Sequence, residues 1–327
     1  MTRRRTWGAL ALAGVLAAGG CGIPDRVVGL RAAPTVPSDP AILTATAARQ
    51  VSQRALDRAS EAMTGPDADE AARKSALLGP ALRLAEVKDK FVAEGRTNAL
   101  TLPPAVTLLG VSRGPGWPRY LLATAQAEDV QSLYVFVQTD ATTPFKLQTT
   151  VPMEPGASIP AMPLLTEGIQ PVTDGSGLVG SPATIAKAYA DALAYPAPRP
   201  PKTPIVGLDD GFAKGILASS SAQAKALGKL GTFTRAHAPF AQDVLAFRLE
   251  DGGALAFVQL SRRDTLTPTR KAKELVLTGS LAKLAGTSKI TKSADLDWLE
   301  TLAIVIPASG TATIVAASEQ LRGITAK

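Results

Sequence analysis

"FVQTDATTP" (136–144) and "FVQLSRRDTLTP" (257–268) share an opening and a close. Each runs Phe-Val-Gln into Asp-x-x-Thr-Pro, which reads as a strand entering a turn. The repeat predicts an internal duplication in which Phe136 matches Phe257 and Pro144 matches Pro268. Side chains alternate along a strand, so equivalent runs should aim the same residues at the same faces. On that expectation Phe136 and Phe257 face their own helices. Leu133, Val135, Ala256 and Val258 lie on the opposite faces and need a cover from the other half.

The surrounding sequence repeats in the same order. Asp39-Pro40 reads as a helix cap and first-turn proline, with Ala48, Val51, Ala55, Ala59 and Met63 at helical spacing up to Gly65-Pro66. A second helical stretch, 67–94, broken at Gly79-Pro80, aligns Leu84, Val87 and Phe91. Strands are expected at 105–112, 119–127, 132–140 and 144–152. In the second half Ser181-Pro182 again caps a helix (183–195), a proline-rich run (196–204) ends it, and another helix lies near 210–228. Strands are expected at 231–238, 243–250, 254–262, 274–279, 298–307 and 312–318, with Asp251-Gly252-Gly253 a hairpin turn. Helices first and strands afterwards give an α+β class: two tandem modules, each with N-terminal helices packed on a curved antiparallel sheet. The boundaries are a first module at 40–158, a linker at 159–180 and a second module at 181–327.

That element order resembles the cystatin-like cone of the nuclear-transport-factor-2-like superfamily. The alanine-rich start with Gly20-Cys21-Gly22, together with the twin modules, resembles uncharacterised actinobacterial exported lipoproteins. The resemblance implies a conical pocket between helices and sheet. It carries over no site residues.

The chain's one cysteine, Cys21, follows a basic cluster (Arg3, Arg4, Arg5), a twelve-residue run of apolar or small residues (7–18) and Gly19-Gly20. A membrane-spanning helix needs about twenty apolar residues, so this run reads as an export signal. It resembles a bacterial lipoprotein signal, although Ala18 stands where that family usually has leucine. The resemblance implies a signal peptide at 1–20, a diacylglycerol on the Cys21 sulfur, and cleavage before it. Residues 21–39 then form a proline-containing tether spanning roughly 20–25 Å. The expected location is the extracytoplasmic face of the cell membrane. Arg3-Arg4-Arg5-Thr6-Trp7 partly resembles a twin-arginine signal, and the general export route fits equally well.

Composition narrows the function classes. Once Cys21 is acylated no thiol is left for a disulfide or a metal, and the one histidine, His237, makes a zinc enzyme a poor fit. The net charge of +7 falls by three when Arg3, Arg4 and Arg5 leave with the signal. The densest basic segment, 261–274, carries Arg262, Arg263, Arg270, Lys271 and Lys273 but no aromatic. It reads as a solvated hairpin edge rather than a nucleic-acid stripe.

Catalytic motifs are weak. Gly175-Ser-Gly177-Leu-Val-Gly180 spells a dinucleotide fingerprint, but Pro171 interrupts the supposed strand and no βαβ unit follows, so it reads as a loop closed by the Ser181 cap. Ser280-Leu-Ala-Lys283 matches S-x-x-K without the companion motifs. The acidic pairs Glu128-Asp129 and Glu250-Asp251 fall in turns, Asp209-Asp210 reads as a helix start, and Asp295 and Asp297 complete the candidates for a carboxylate pair. Trp298 reads as packing, and Trp117, between Pro115 and Pro118, as packing or an exposed contact. The expectation is a non-enzymatic envelope protein without a cofactor, bound to the membrane through Cys21 and partnered by an envelope protein or wall polymer. A small-molecule or lipid carrier is the alternative, and a hydrolase ranks last.

Overall fold

A computed structural model describes residues 39–64, 69–92, 102–127 and 129–327. The expected signal (1–20), Cys21, nearly all of the expected tether, the Gly65-Pro66 stop and Glu128 lie outside the described residues, as does the side chain of Phe91.

The class is α+β, with six helices and antiparallel sheets among the described residues. In the first half come α1 (Ala45–Thr64), α2 (Glu70–Ala76) and α3 (Gly79–Val92). Strands β1 (Thr107–Val111), β2 (Arg119–Ala127), β3 (Val130–Gln138) and β4 (Lys146–Pro152) follow as a four-stranded meander. In the second half α4 (Pro182–Ala192) and α5 (Gly211–Leu227) precede β5 (Gly231–Pro239), β6 (Leu245–Arg248) and β7 (Ala254–Pro268). An excursion of β8 (Leu275–Val276), α6 (Gly279–Ala285) and β9 (Lys289–Ile290) then leads to β10 (Ala294–Ile306) and β11 (Thr313–Ala326). The second sheet runs β11-β10-β7-β5, and β6 continues the β5 edge along β7.

The helix starts are chemical. Ser181 Oγ accepts from the Thr184 amide at 3.1 Å, and Asp210 Oδ1 from the Ala213 amide at 2.7 Å. Each cap satisfies an amide that has no intrahelical partner, worth about 1 kcal/mol. The expected cap at Asp39-Pro40 is corrected. Pro40 O accepts from the Gly114 amide and Ala41 bridges Arg113, so this segment runs beside the end of β1. Thr44 Oγ1 takes the capping role, accepting from Ala47 at 3.2 Å.

The two sheets meet face to face. Leu122, Leu133, Val135 and Val137 of the first share one buried cluster with Leu255, Phe257 and Ala303 of the second. Tyr120, Phe247 and Phe257 form a chain of edge-on ring contacts across the junction, at 5.2 and 6.3 Å between centroids, an arrangement that adds to simple burial. The edges close as well. Past β4, Met153 bridges Ala316 of β11. At the other edge, residues 168–172 strap the sheets together: Ile169 N donates to Val111 O at 2.7 Å and Val172 N to Ala246 O at 2.8 Å. The edges of the two sheets are thus tied together on both sides, which covers backbone that a free sheet edge would expose. The segment expected to be a linker thus supplies a structural strap. Gly110 permits its close approach, because a Cβ there would lie 2.6 Å from Ile169 Cγ2.

The predicted equivalence of the two Phe-Val-Gln runs is overturned. Phe136 belongs to β3, third across the first sheet, and packs toward helices α1 to α3. Phe257 belongs to β7, next to the edge formed by β5 and β6, and packs between the sheets. Ala256 and Val258, expected on the outward face, pack against α4 and α5 instead. The trailing letters differ too. Asp140–Pro144 forms a turn, whereas Asp264–Pro268 is the last third of β7. The sharing of a cover between the halves does hold, with Leu133 and Val135 against Phe257.

Candidate functional site

The first half of β7 alternates Ala254, Ala256, Val258 and Leu260 on the side that packs under α4 and α5. Beyond Leu260 the same side carries Arg262, Asp264 and Leu266. Antiparallel register sets these residues in rows across the sheet. His237, Arg262, Trp298 and Leu321 form one row; Arg235, Asp264, Leu296 and Ile324 form the next. The row before them places Glu300 directly opposite Glu319.

Four charged side chains are nearly or fully buried here: Arg235, Asp264, Arg262 and Glu300, at 6, 7, 3 and 0 % exposure. Burying such groups costs several kcal/mol each unless they are paired. Arg235 is saturated. Its Nε and Nη2 grip both oxygens of Asp264 at 2.6 and 2.8 Å, and Nη1 donates to Ile216 O, Ser219 Oγ and Ser220 Oγ of α5. This bidentate pair with its helix contacts ties α5 to the sheet. Arg262 Nη1 donates to Glu300 Oε1 at 2.8 Å and Glu319 Oε2 at 2.5 Å, so one cation separates two carboxylates that would otherwise repel across the strands. Its guanidinium lies 4.2 Å from the centre of the Trp298 ring, a cation–π contact. Satisfaction is incomplete: Arg262 Nε, Glu300 Oε2, Trp298 Nε1 and both nitrogens of His237 are buried without hydrogen bonds. His237 Nε2 sits 3.4 Å from Glu300 Oε1.

Above this floor lies a cavity of about 610 Å³. Arg235, Arg262, Asp264, Trp298 and Glu319 line its polar end. Leu227 of α5, Leu266 and Leu296 form walls, and Leu275, Leu277 and Leu281 of the β8–α6–β9 excursion form a roof. Leu230 and Val276, 57 and 65 % exposed, stand on its rim. A volume in the range 300–1,000 Å³ with apolar walls and a few polar groups is the general form of a small-molecule site. A groove of similar volume on the first half is lined by Leu43, Val51, Phe145 and the exposed Arg54, Asp57 and Arg58. It has no buried charge in its lining.

The other candidates resolve into local roles. Gly175–Gly180 forms a loop ahead of the Ser181 cap, with Leu178 N donating to Gly175 O. Ser280 and Lys283 lie on the seven-residue α6. Asp251 Oδ1 accepts from Gly253 N within its hairpin at 2.8 Å. Asp209 precedes the capping Asp210, which also accepts from Tyr189 OH at 3.0 Å. Burial, followed by the charge of Asp210, holds the Tyr189 phenol well above its ordinary value; burial, and then Asp210, likewise raises the Glu154 carboxyl. Asp295 accepts from Thr265 and Asp297 from Arg263, so these carboxylates are held separately rather than across a cleft. Trp117 is 39 % exposed, with Arg119 stacked 4.1 Å from its ring centre. Among the described residues no group of three or more His, Cys, Asp or Glu is placed to hold a metal ion, and no helix is long and apolar enough to cross a membrane.

Segment 261–274, read as a solvated hairpin edge, is corrected. Arg263 is solvated, but Arg262 and Asp264 are the buried centre of the site. Arg235, Asp264, Glu300 and Glu319 were missed. The available signal was the period of two in Leu260, Arg262, Asp264, Leu266, which sets charge on a face that begins apolar. A search of curated proteins and a search of solved structures each returned no match. The family model described as a domain of unknown function, DUF8094, matches residues 39–326, and the chain belongs to that family.

Proposed function

We propose that this protein is a lipid-anchored envelope protein that carries a small apolar molecule in the cavity of its second half and performs no chemistry on it. The observation that supports this reading is the cavity of about 610 Å³, roofed by residues 275–290, with leucine walls and a polar floor at one end. Each methylene withdrawn from water into such walls contributes about 0.8 kcal/mol, and the floor orients the polar end. The floor's charged groups are engaged mainly with one another, which suits holding a ligand more than attacking it. In this reading each half is a cone of helices on a curved sheet, and the second holds the cargo because its cavity has a buried polar floor. The sequence at Cys21 supplies the anchor, so the cavity works close to a membrane that can deliver and receive its cargo.

The test uses the full chain purified from membranes. Native mass spectrometry is expected to find a co-purifying small molecule, and Gln223→Trp, which fills the cavity beside α5 from an exposed helix position, is expected to remove it while leaving thermal unfolding unchanged. Cys21→Ser is expected to release the protein from membranes or leave its signal uncleaved. Unchanged retention with the same mature mass argues against the anchor, and an empty wild-type cavity argues against the carrier. A scaffolding role toward an envelope partner or wall polymer is the second reading, and the exposed Trp117 supports it.

A further inference from the structure

The floor of the cavity specifies the polar end of its cargo. We propose that the ligand is an uncharged amphiphile, with an ester or similar carbonyl acceptor at the buried end and a long apolar chain leaving past the β8–α6–β9 roof. This deepens the carrier reading and rests on it.

The argument begins with Arg262, which lines the cavity and is 3 % exposed. Nη1 is shared between Glu300 and Glu319. Nε lies 3.4 Å from Asp264 Oδ1 without a hydrogen bond. Among the described residues no acceptor is bonded to Nη2. Arg235, by contrast, has all three nitrogens engaged. The polar end of the cavity therefore offers Nη2 as an open donor, beside the unpaired Arg262 Nε and Trp298 Nε1, on a side chain otherwise fixed by two carboxylates and a tryptophan ring. An oriented donor at the polar end of a mostly apolar cavity selects a ligand that brings an acceptor, because either group left dry and unpaired is costly.

Charge then chooses among acceptors. Around that donor stand two guanidiniums, Arg235 and Arg262, and three carboxylates, Asp264, Glu300 and Glu319. Protonation of His237 beside Glu300 would bring the set to balance, never to positive excess. A ligand carboxylate or phosphate entering here meets carboxylates that already claim the cations. A quaternary ammonium has no acceptor for Nη2, and it finds the three carboxylates already bonded to the two guanidiniums. A neutral carbonyl meets the open donor and disturbs no pair. Glu319, 44 % exposed, is the carboxylate of the set that reaches toward solvent, so it can be neutralised without unburying the network.

The experiment compares methyl palmitate, palmitate and hexadecyltrimethylammonium, matched in chain length, by native mass spectrometry on the full chain. Methyl palmitate is expected to bind about tenfold more tightly than either ion. Glu319→Gln is expected to strengthen palmitate about fivefold and to move methyl palmitate by less than about twofold, since it removes a repelling charge and leaves Nη2 in place. Palmitate or the ammonium binding as tightly as the ester in the wild type overturns the neutral-head proposal while the carrier reading stands. Binding of none of the three, by protein whose thermal unfolding is intact, overturns both.

Discussion

The first sheet meets its helices through Phe136, Leu121, Tyr134 and Leu147, packed on Ala48, Ala55 and Ala59, and no charged side chain is buried there among the described residues. The second meets its helices through Val258, Leu260, Leu302 and Ile304, then continues into the buried Arg235, Arg262, Asp264 and Glu300, of which Arg235 bonds α5. The order of elements is shared; strand length is not. Strands β2, β3 and β4 have 9, 9 and 7 residues, whereas β7, β10 and β11 have 15, 13 and 14. β2 ends at Ala127 and β3 starts at Val130, while β7 and β10 are joined by the β8–α6–β9 excursion. The extra strand length carries the charged rows under α5, which Arg235 binds, and the excursion roofs the space beside it. One architecture closes its helix face with alanines and leucines; the other leaves a cavity there and lines its end with charge.

The comparison is broken most severely at Asp264. Asp264→Ala strands the buried Arg235 and leaves Arg262 one fewer counter-charge, so about 3–5 kcal/mol of stability is expected to be lost, read as a lower midpoint in urea. The double variant Arg235→Met, Asp264→Leu, which removes both charges, is expected to recover most of that loss. If Asp264→Ala costs no more than a surface substitution, the second half's charge is not held as described, and the contrast between the halves disappears.

A smaller effect is expected at the strap that joins them. Gly110→Ala places a Cβ 2.6 Å from Ile169 Cγ2, and overpacking of that kind costs about 1–3 kcal/mol. Because residues 168–172 hydrogen-bond both sheets, the loss should appear as one cooperative unfolding transition shifted as a whole. Two separated transitions would mean that the halves unfold independently.

Much of the architecture was legible in the residues. Apolar period and caps located α4 and α5, because Ser181 and Asp210 advertise their chemistry locally. The need for a shared cover followed from Leu133 and Val135, apolar on the face away from the helices. What failed was matching by letters. Phe-Val-Gln fits any half-buried strand, and nothing within those three residues says which neighbour supplies the burial. The site was illegible for a related reason. Arg235, Asp264, Arg262 and Glu300 lie on three strands, up to 65 positions apart in the chain, and are brought together by register alone. A charge-rich segment reads as solvated unless its cross-strand partners are known.

The subtlest contrast concerns Asp-x-x-Thr-Pro, the same letters with opposite outcomes. In the first half Asp140 Oδ1 accepts from the Thr142 hydroxyl at 2.6 Å, the Thr142 amide at 2.9 Å and the Thr143 amide at 3.0 Å, so the side chain itself builds the turn. In the second half Asp264 faces Arg235 across the strands and the chain stays extended. The Thr142 hydroxyl and then the Thr142 amide hold the Asp140 carboxyl down at about 2, against an ordinary 3.8. A carboxyl lowered in the folded state stabilises the fold above its unfolded pKa, and that contribution is lost as pH falls through the folded value. Asp140→Asn is therefore expected to reduce stability at neutral pH, with the difference from wild type closing as the pH approaches about 2. Thr142→Val, which removes the hydroxyl and keeps the shape, should raise the Asp140 carboxyl toward its ordinary value in an NMR titration. An ordinary titration of Asp140 in the wild type would mean that the side chain does not hold this turn. The divergence of the two motifs would then rest on the surrounding sheets and not on what the aspartate bonds to.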